Sequence, residues 1–351
     1  MSPMGLGDID SKSQPSLEKT AMKDDPVKLH ILTGEDLTNE SWAWRIGTIG
    51  PAGTGKTDFS LSVLNDLIYE QNLSPEACLL CFIDLDGGVA PLLRKNVIPP
   101  ELKSRLRYTM CSTFREVELA TDTFFKSLEA HREKHGNKGC WIVVDNMQKA
   151  WEMSRDQYAM NVYGFSMREL MEIKRKEALA AGKKTLPTFN MEFDYQIINP
   201  YHNDWAQSFN QSGFNYVWLS PISQELVTDK NGNVKEVIER WGQKANPQRV
   251  DYILRKYIEG QTFLGDVMKS RTTSLYPNRI ANPNFTNVRR ELERVEKMEQ
   301  EQKKRKRAEK PVVLKGNEIE KKTSDSNEGL PVTLDVKESS STEQSSDVSE
   351  W

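Results

Sequence analysis

The sequence predicts an α/β fold built on a mainly parallel sheet, on three observations. Apolar runs are continuous rather than alternating: Ala77-Cys78-Leu79-Leu80-Cys81-Phe82-Ile83, Trp141-Ile142-Val143-Val144 and Asn215-Tyr216-Val217-Trp218-Leu219. Such strands are covered on both faces, the habit of parallel sheets. Stretches of helical character lie between them, from Thr113 to about His135 and from Met147 to about Ala181. Finally, Gly50-Pro51-Ala52-Gly53-Thr54-Gly55-Lys56-Thr57 is a complete G-x-x-x-x-G-K-[ST] run between a strand pattern and a helix pattern.

Residues 1–28 are polar and aperiodic, which predicts disorder. An ordered domain is expected over 29–287. Its first strand is Trp44–Ile49, and Asp58–Tyr69 is the helix after the glycine-rich run, with Phe59, Val63, Leu67 and Leu64, Ile68 at helical spacing. Phe263–Met268 reads as a fourth strand. Gly182–Asn203, rich in Asn, Pro and aromatics, reads as a long loop or small insertion. Asn231-Gly232 between two segments of branched residues predicts a β-hairpin over Glu225–Ile238. Residues 288–310 read as a charged helix with one thin apolar stripe, Val288, Leu292, Val295 and Met298, fit to dock on a partner or on the core. Residues 311–351 read as a disordered acidic tail ending in Trp351, either a docking peptide for a protein partner or nothing. There is no internal repeat.

A net charge of −3 excludes a bulk polycation that coats nucleic acid, so any DNA contact must come from a local patch. Lys303-Lys304-Arg305-Lys306-Arg307 is one such patch, though a solvated helix face explains it as well. Four cysteines are too few for a disulfide framework in 351 residues and suit a reducing cytoplasm. Cys78 and Cys81 have CxxC spacing, but their apolar run favours a buried strand over zinc. His131 and His135 read as a solvated helix face. No apolar run approaches a membrane span, and the N-terminus has no apolar signal core.

The glycine-rich run fixes a ligand class. Gly50, Pro51, Ala52, Gly53, Thr54, Gly55, Lys56, Thr57 and Asp58 form a loop whose backbone N–H groups, lacking only at Pro51, can curl around nucleotide phosphates at a helix N-terminus. Lys56 would reach the β/γ-phosphates, and the Thr57 hydroxyl would coordinate Mg²⁺. Asp145, after four apolar residues, can hold Mg²⁺ beside Thr57 or merely cap the next helix. In Phe82-Ile83-Asp84-Leu85-Asp86-Gly87-Gly88, Asp84 and Asp86 share a side of the strand end. One of them is placed to orient water towards a γ-phosphate; alternatively both only hydrogen-bond the turn. Lys269 and Arg271 end a late strand and can reach a neighbour's nucleotide as an arginine finger does, or serve as plain surface cations.

Together these residues resemble the RecA-like P-loop ATPases. They are most similar to the phage and archaeal branch associated with single-strand annealing and recombination, and more distantly to DnaB-type helicases. The resemblance rests on Gly50–Thr57, Phe82–Gly88, Ile142-Val143-Val144-Asp145-Asn146, Trp218-Leu219-Ser220, Asp251 and Lys269-Ser270-Arg271. It implies that Asp86 activates water, that Asp145 is the Mg²⁺-associated acid and that Ser220 to Gln224 senses the γ-phosphate. It also implies that Lys269 and Arg271 act across a subunit interface. Asp86 departs from the family's usual Glu, Asn146 from its frequent Ser, and Pro221 interrupts its sensor pattern.

The expectation is a Mg²⁺-dependent ATPase that assembles head to tail, as ring or filament, and acts on single-stranded DNA in a prokaryotic or virus-infected cytoplasm. The hairpin around Asn231-Gly232 and the Lys303–Arg307 cluster are the expected DNA-facing parts. The alternatives are a helicase or packaging motor, and a nucleotide-gated scaffold with little hydrolysis.

Overall fold

The continuous apolar runs become the centre of one eight-stranded sheet in a computed structural model of the protein, which describes residues 43–95, 98–182, 194–228, 234–240, 243–275, 277 and 279–308. The strands are β1 (Arg45–Ile49), β2 (Leu79–Asp84), β3 (Leu106–Met110), β4 (Cys140–Asp145) and β5 (Asn215–Ser220). β6 (Ser223–Thr228) and β7 (Val234–Arg240) form a separate antiparallel pair, followed by β8 (Tyr252–Glu259), β9 (Thr262–Ser270) and β10 (Ile280–Ala281). The sheet order is β10-β9-β8-β1-β5-β4-β2-β3. β3, β2, β4, β5, β1 and β8 pair in parallel, while β9 runs antiparallel to both its neighbours. The chain is therefore α/β with a mostly parallel sheet.

The helices are α1 (Lys56–Asn65), α2 (Val89–Arg94), α3 (Phe114–His135), α4 (Met147–Tyr163), α5 (Met167–Ala180), α6 (Asp194–Ser212), α7 (Asn246–Arg249) and α8 (Phe285–Ala308). They cover both faces of the sheet, and the central strands divide their side chains accordingly. On β4, Cys140, Ile142 and Val144 join a core with α3 and α6, whereas Trp141 and Val143 join a core with α1 and α8. β2 and β5 alternate in the same way, which is why their sequences are apolar throughout. The described residues through Lys303 form one compact unit; of the second unit, from Lys304, only the helical residues 304–308 are described.

Several expectations change. The helix expected over Met147–Ala181 is two helices. Gly164 ends α4 in the left-handed conformation, and Ser166 with Glu169 forms a capping box that starts α5. Part of the expected loop Gly182–Asn203 is helix, because α6 begins at Asp194 and carries Pro200 inside it. Phe263–Met268 is a strand, but in an antiparallel hairpin with β8 rather than another parallel repeat. The hairpin expected over Glu225–Ile238 is the β6–β7 pair, with its 229–233 turn outside the described residues. The expectations for residues 1–28 and 311–351 also fall outside them. No described helix is long and apolar enough to cross a membrane.

The apolar stripe of α8 docks on the core: Val288, Leu292 and Val295 are buried, and Met298 is exposed. Phe285 packs edge-on against Trp44 and Trp141. One ion pair fastens this helix to the end of α1. Arg289 donates through Nε and Nη2 to the two carboxylate oxygens of Asp66, at 2.9 and 3.0 Å. The Asp66 side chain has no exposed surface and Arg289 only 12%, so the pair is desolvated and bidentate. Arg289→Ala should therefore destabilise the fold by about 3–5 kcal/mol, read from urea unfolding, because it strands a buried carboxylate. Asp66→Asn combined with Arg289→Met should cost clearly less.

Candidate active site

Four parallel strand tips meet at one edge of the sheet: β1 leads into the glycine-rich loop, β2 ends at Asp84, β4 at Asp145 and β5 at Ser220. Ligands of open α/β sheets bind at the carboxyl ends of strands, and this edge holds most of the predicted residues.

The loop is shaped by close approach and by handedness. A Cβ at Gly50 would lie 2.2 Å from the carbonyl oxygen of Lys256, so only glycine fits. Gly55 caps α1 in the left-handed conformation, φ 74°. Pro51, Ala52 and Gly53 are exposed, Gly50 and Thr54 are buried, and Gly55, Lys56, Thr57 and Asp58 are partly buried. The Thr54 hydroxyl donates to the Pro51 carbonyl at 2.9 Å. Lys56 folds back over its own loop and donates from Nζ to the carbonyls of Gly50 and Pro51, each at 2.8 Å. Burial lowers its pKa, against the pull of Asp145 and Asp86.

The acids converge on that lysine from two other strands. Thr57 Oγ1 donates to Asp145 Oδ2 at 2.7 Å, joining the start of α1 to the tip of β4. Burial pushes the Asp145 carboxyl up to about 6; the Thr57 hydrogen bond and Lys56 oppose the shift, and Asp86 and Asp84 add to it. Asp86 is held by Asn146, whose amide donates to it while its own Oδ1 caps α4 by accepting from Lys149 N at 2.7 Å. The Asp145–Asn146 peptide is cis.

Asp84 and Asp86 do different work. Asp84 Oδ1 accepts from the amides of Asp86, Gly87 and Gly88, and Oδ2 from Val89 N at 3.1 Å. With four amides on it, Asp84 builds the turn. Asp86 is exposed on that turn, and the partial desolvation of its carboxyl raises its pKa.

The chemistry of the site suits a hard divalent cation: a hydroxyl and a buried carboxylate lie in contact, with further acids nearby. Among the described residues no group of three or more His, Cys, Asp and Glu could hold a metal alone. Ser220 adds a buried hydroxyl, with no hydrogen-bond partner among the described residues, at the tip of the strand beside β1.

Lys269 and Arg271 stand apart. Because β9 is antiparallel, Ser270 pairs with Tyr252 at the start of β8, so both cations lie at the opposite edge from their own loop. Lys269 Nζ donates to the carbonyls of Pro247 and Val250, at 2.6 and 2.7 Å. Arg271 pairs with Asp251 at 3.2 Å and bonds the Gln248 carbonyl. Within one chain they do not join the site. The four cysteines are free and buried.

Sequence reasoning missed Lys256. It lies in β8 on the face of buried Tyr252 and Leu254, and is itself 3% exposed. A lysine in step with apolar residues at i−2 and i−4 was the available signal. Comparison of the chain with protein-family models and with curated proteins gave no match.

The Asp145 shift has a fixed sign. The folded state holds this proton to about pH 6, whereas an unfolded Asp releases it near 4. Ionisation therefore costs stability progressively from about pH 4 to 6 and fully above that. Asp145→Asn, which keeps an acceptor for Thr57, should be about 1–3 kcal/mol more stable than the parent at pH 7.5 and nearly equal to it below pH 4. Urea titrations at the two pH values measure this.

Proposed function

We propose that this chain is a Mg²⁺-dependent, RecA-like P-loop ATPase that acts on single-stranded DNA in recombination, repair or replication, through a head-to-tail ring or filament. The observation that carries the ATPase reading is the 2.7 Å bond between Thr57 and Asp145, with Lys56 and Asp86 beside it. A glycine-rich loop and an acid from a separate strand in direct contact are what triphosphate hydrolysis requires.

In this reading the amides of Gly53 to Asp58 and the N-terminus of α1 hold the phosphates. Lys56 leaves the carbonyls of Gly50 and Pro51 for the β/γ-phosphates. Thr57 and Asp145 hold Mg²⁺, which supplies charge neutralisation on the phosphate oxygens when bound. Asp86, steadied by Asn146, orients the attacking water and takes up its proton. Ser220 gives its unpartnered hydroxyl to the γ-phosphate end of the site. Lys269 and Arg271, at the far edge, exchange their own carbonyl partners for a neighbour's nucleotide.

The DNA reading draws support from the β6–β7 pair. Only Pro221 and Ile222 separate Ser220 from β6, so the hairpin hangs from a strand tip of the candidate site.

Lys56→Ala should reduce ATP turnover at least 100-fold. Asp86→Asn should lower kcat about 100–1,000-fold with KM changed only a few-fold, since the acid acts on water rather than on binding. Phosphate release measured with and without single-stranded DNA, beside the mass of the particle in ATP, tests the whole. Unchanged turnover in the Lys56 variant refutes the site, and turnover indifferent to DNA refutes the DNA assignment.

A further inference from the structure

Lys256 reaches the phosphate loop from a distant part of the chain. Its backbone carbonyl occupies the space a side chain at residue 50 would need, and its Nζ donates to the Gly55 carbonyl at 2.6 Å. One residue of β8 thus braces both ends of the loop. The ammonium also lies 5.5 Å from the centre of the Phe59 ring, beneath the first turn of α1.

The charges around it do not balance. Lys256 is 3% exposed and makes no ion pair among the described residues. The charged groups that act on it are Asp58, which favours its charge, and Lys56, which opposes it, both on α1. The N-terminus of α1 adds further positive potential. A buried cation held by a carbonyl and a ring face, without an ion pair, is costly, and a nearby anion lowers that cost. The anion-binding geometry beside it is the loop itself.

We propose that Lys256 is a second cation of the nucleotide site, a positioning residue that acts through the loop. Its buried charge, set under Gly55, holds the pyrophosphate portion of a nucleoside di- or triphosphate and makes that affinity depend on β8. The inference rests on the nucleotide reading above. It adds that the ligand completes the charge balance of the fold, and that β8, paired along its length with the strand bearing Lys269, shares in binding.

Three substitutions separate charge from simple support: Lys256→Met keeps the bulk, Lys256→Gln keeps a donor for Gly55 without charge, and Lys256→Arg keeps the charge. Calorimetry with ADP, inorganic pyrophosphate and adenosine, each titrated into the full-length chain, reads the affinities, and thermal unfolding without ligand reads the fold. The Met and Gln variants should bind ADP and pyrophosphate about tenfold or more weakly, and adenosine within twofold of the parent. The Arg variant should stay within a few-fold for all three. Without ligand, the Met variant should melt no lower than the parent. ADP affinity within twofold of the parent in the Met variant overturns the assignment alone. So does full affinity in the Gln variant, which would make Lys256 a hydrogen-bonding strut, and so does an Arg variant as weak as Met. A parent chain that binds neither ADP nor pyrophosphate overturns the nucleotide reading itself.

Discussion

The parallel registration of β2, β4, β5 and β1 is the constraint on which the rest depends. Parallel strands all end at one edge, so residues from positions 50, 86, 145 and 220 arrive together although the chain between them is long. The registration holds because each strand is apolar on both faces and buried on both. Shifting any one of them by a residue would exchange its two faces and lift its terminal polar group away from the cluster.

At that edge each acid is held by its own hydrogen-bond donors, while Asp84 and Asp86 still raise the pKa of Asp145. Asp84 accepts from four backbone amides, Asp145 from one hydroxyl and Asp86 from one amide side chain. Three residues of one type therefore sit in three different environments. Lys56 and Lys256 are similarly divided, one lying over the loop on carbonyls, the other beneath it. The edge is thus a set of opposed charges, each held by a neutral hydrogen-bond partner.

How much of this the sequence discloses depends on range. The glycine-rich loop is local, and its backbone requirements are written in eight consecutive residues. Asp145 and Asp86 were legible because a buried strand announces its own end. β3 was not, since its side chains Arg107, Tyr108 and Met110 are exposed and break the apolar signature. β8 hid for a related reason: Arg255 and Lys256 sit in its middle, and Lys256 is covered by the glycine-rich loop and Phe59, about 200 residues earlier in the chain. Asp66 and Arg289 lie 223 residues apart, and nothing local in either marks them as partners. The different hydrogen bonding of Asp84 and Asp86 was not legible, because alternation along a strand places both on one side and says nothing of what each finds there.

The clamp between Arg289 and Asp66 bears on where movement can go. α1 is pinned at its front by the loop and at its rear by a dry, two-pronged ion pair, with Phe285 wedged against Phe59 between them. A rod fastened at both ends transmits load without swinging. β5, by contrast, runs straight from its buried tip into the β6–β7 arm. The glycine-rich loop thus abuts a stiff rod on its α1 side, while the β6–β7 arm is joined to the neighbouring strand tip through Pro221 and Ile222 alone.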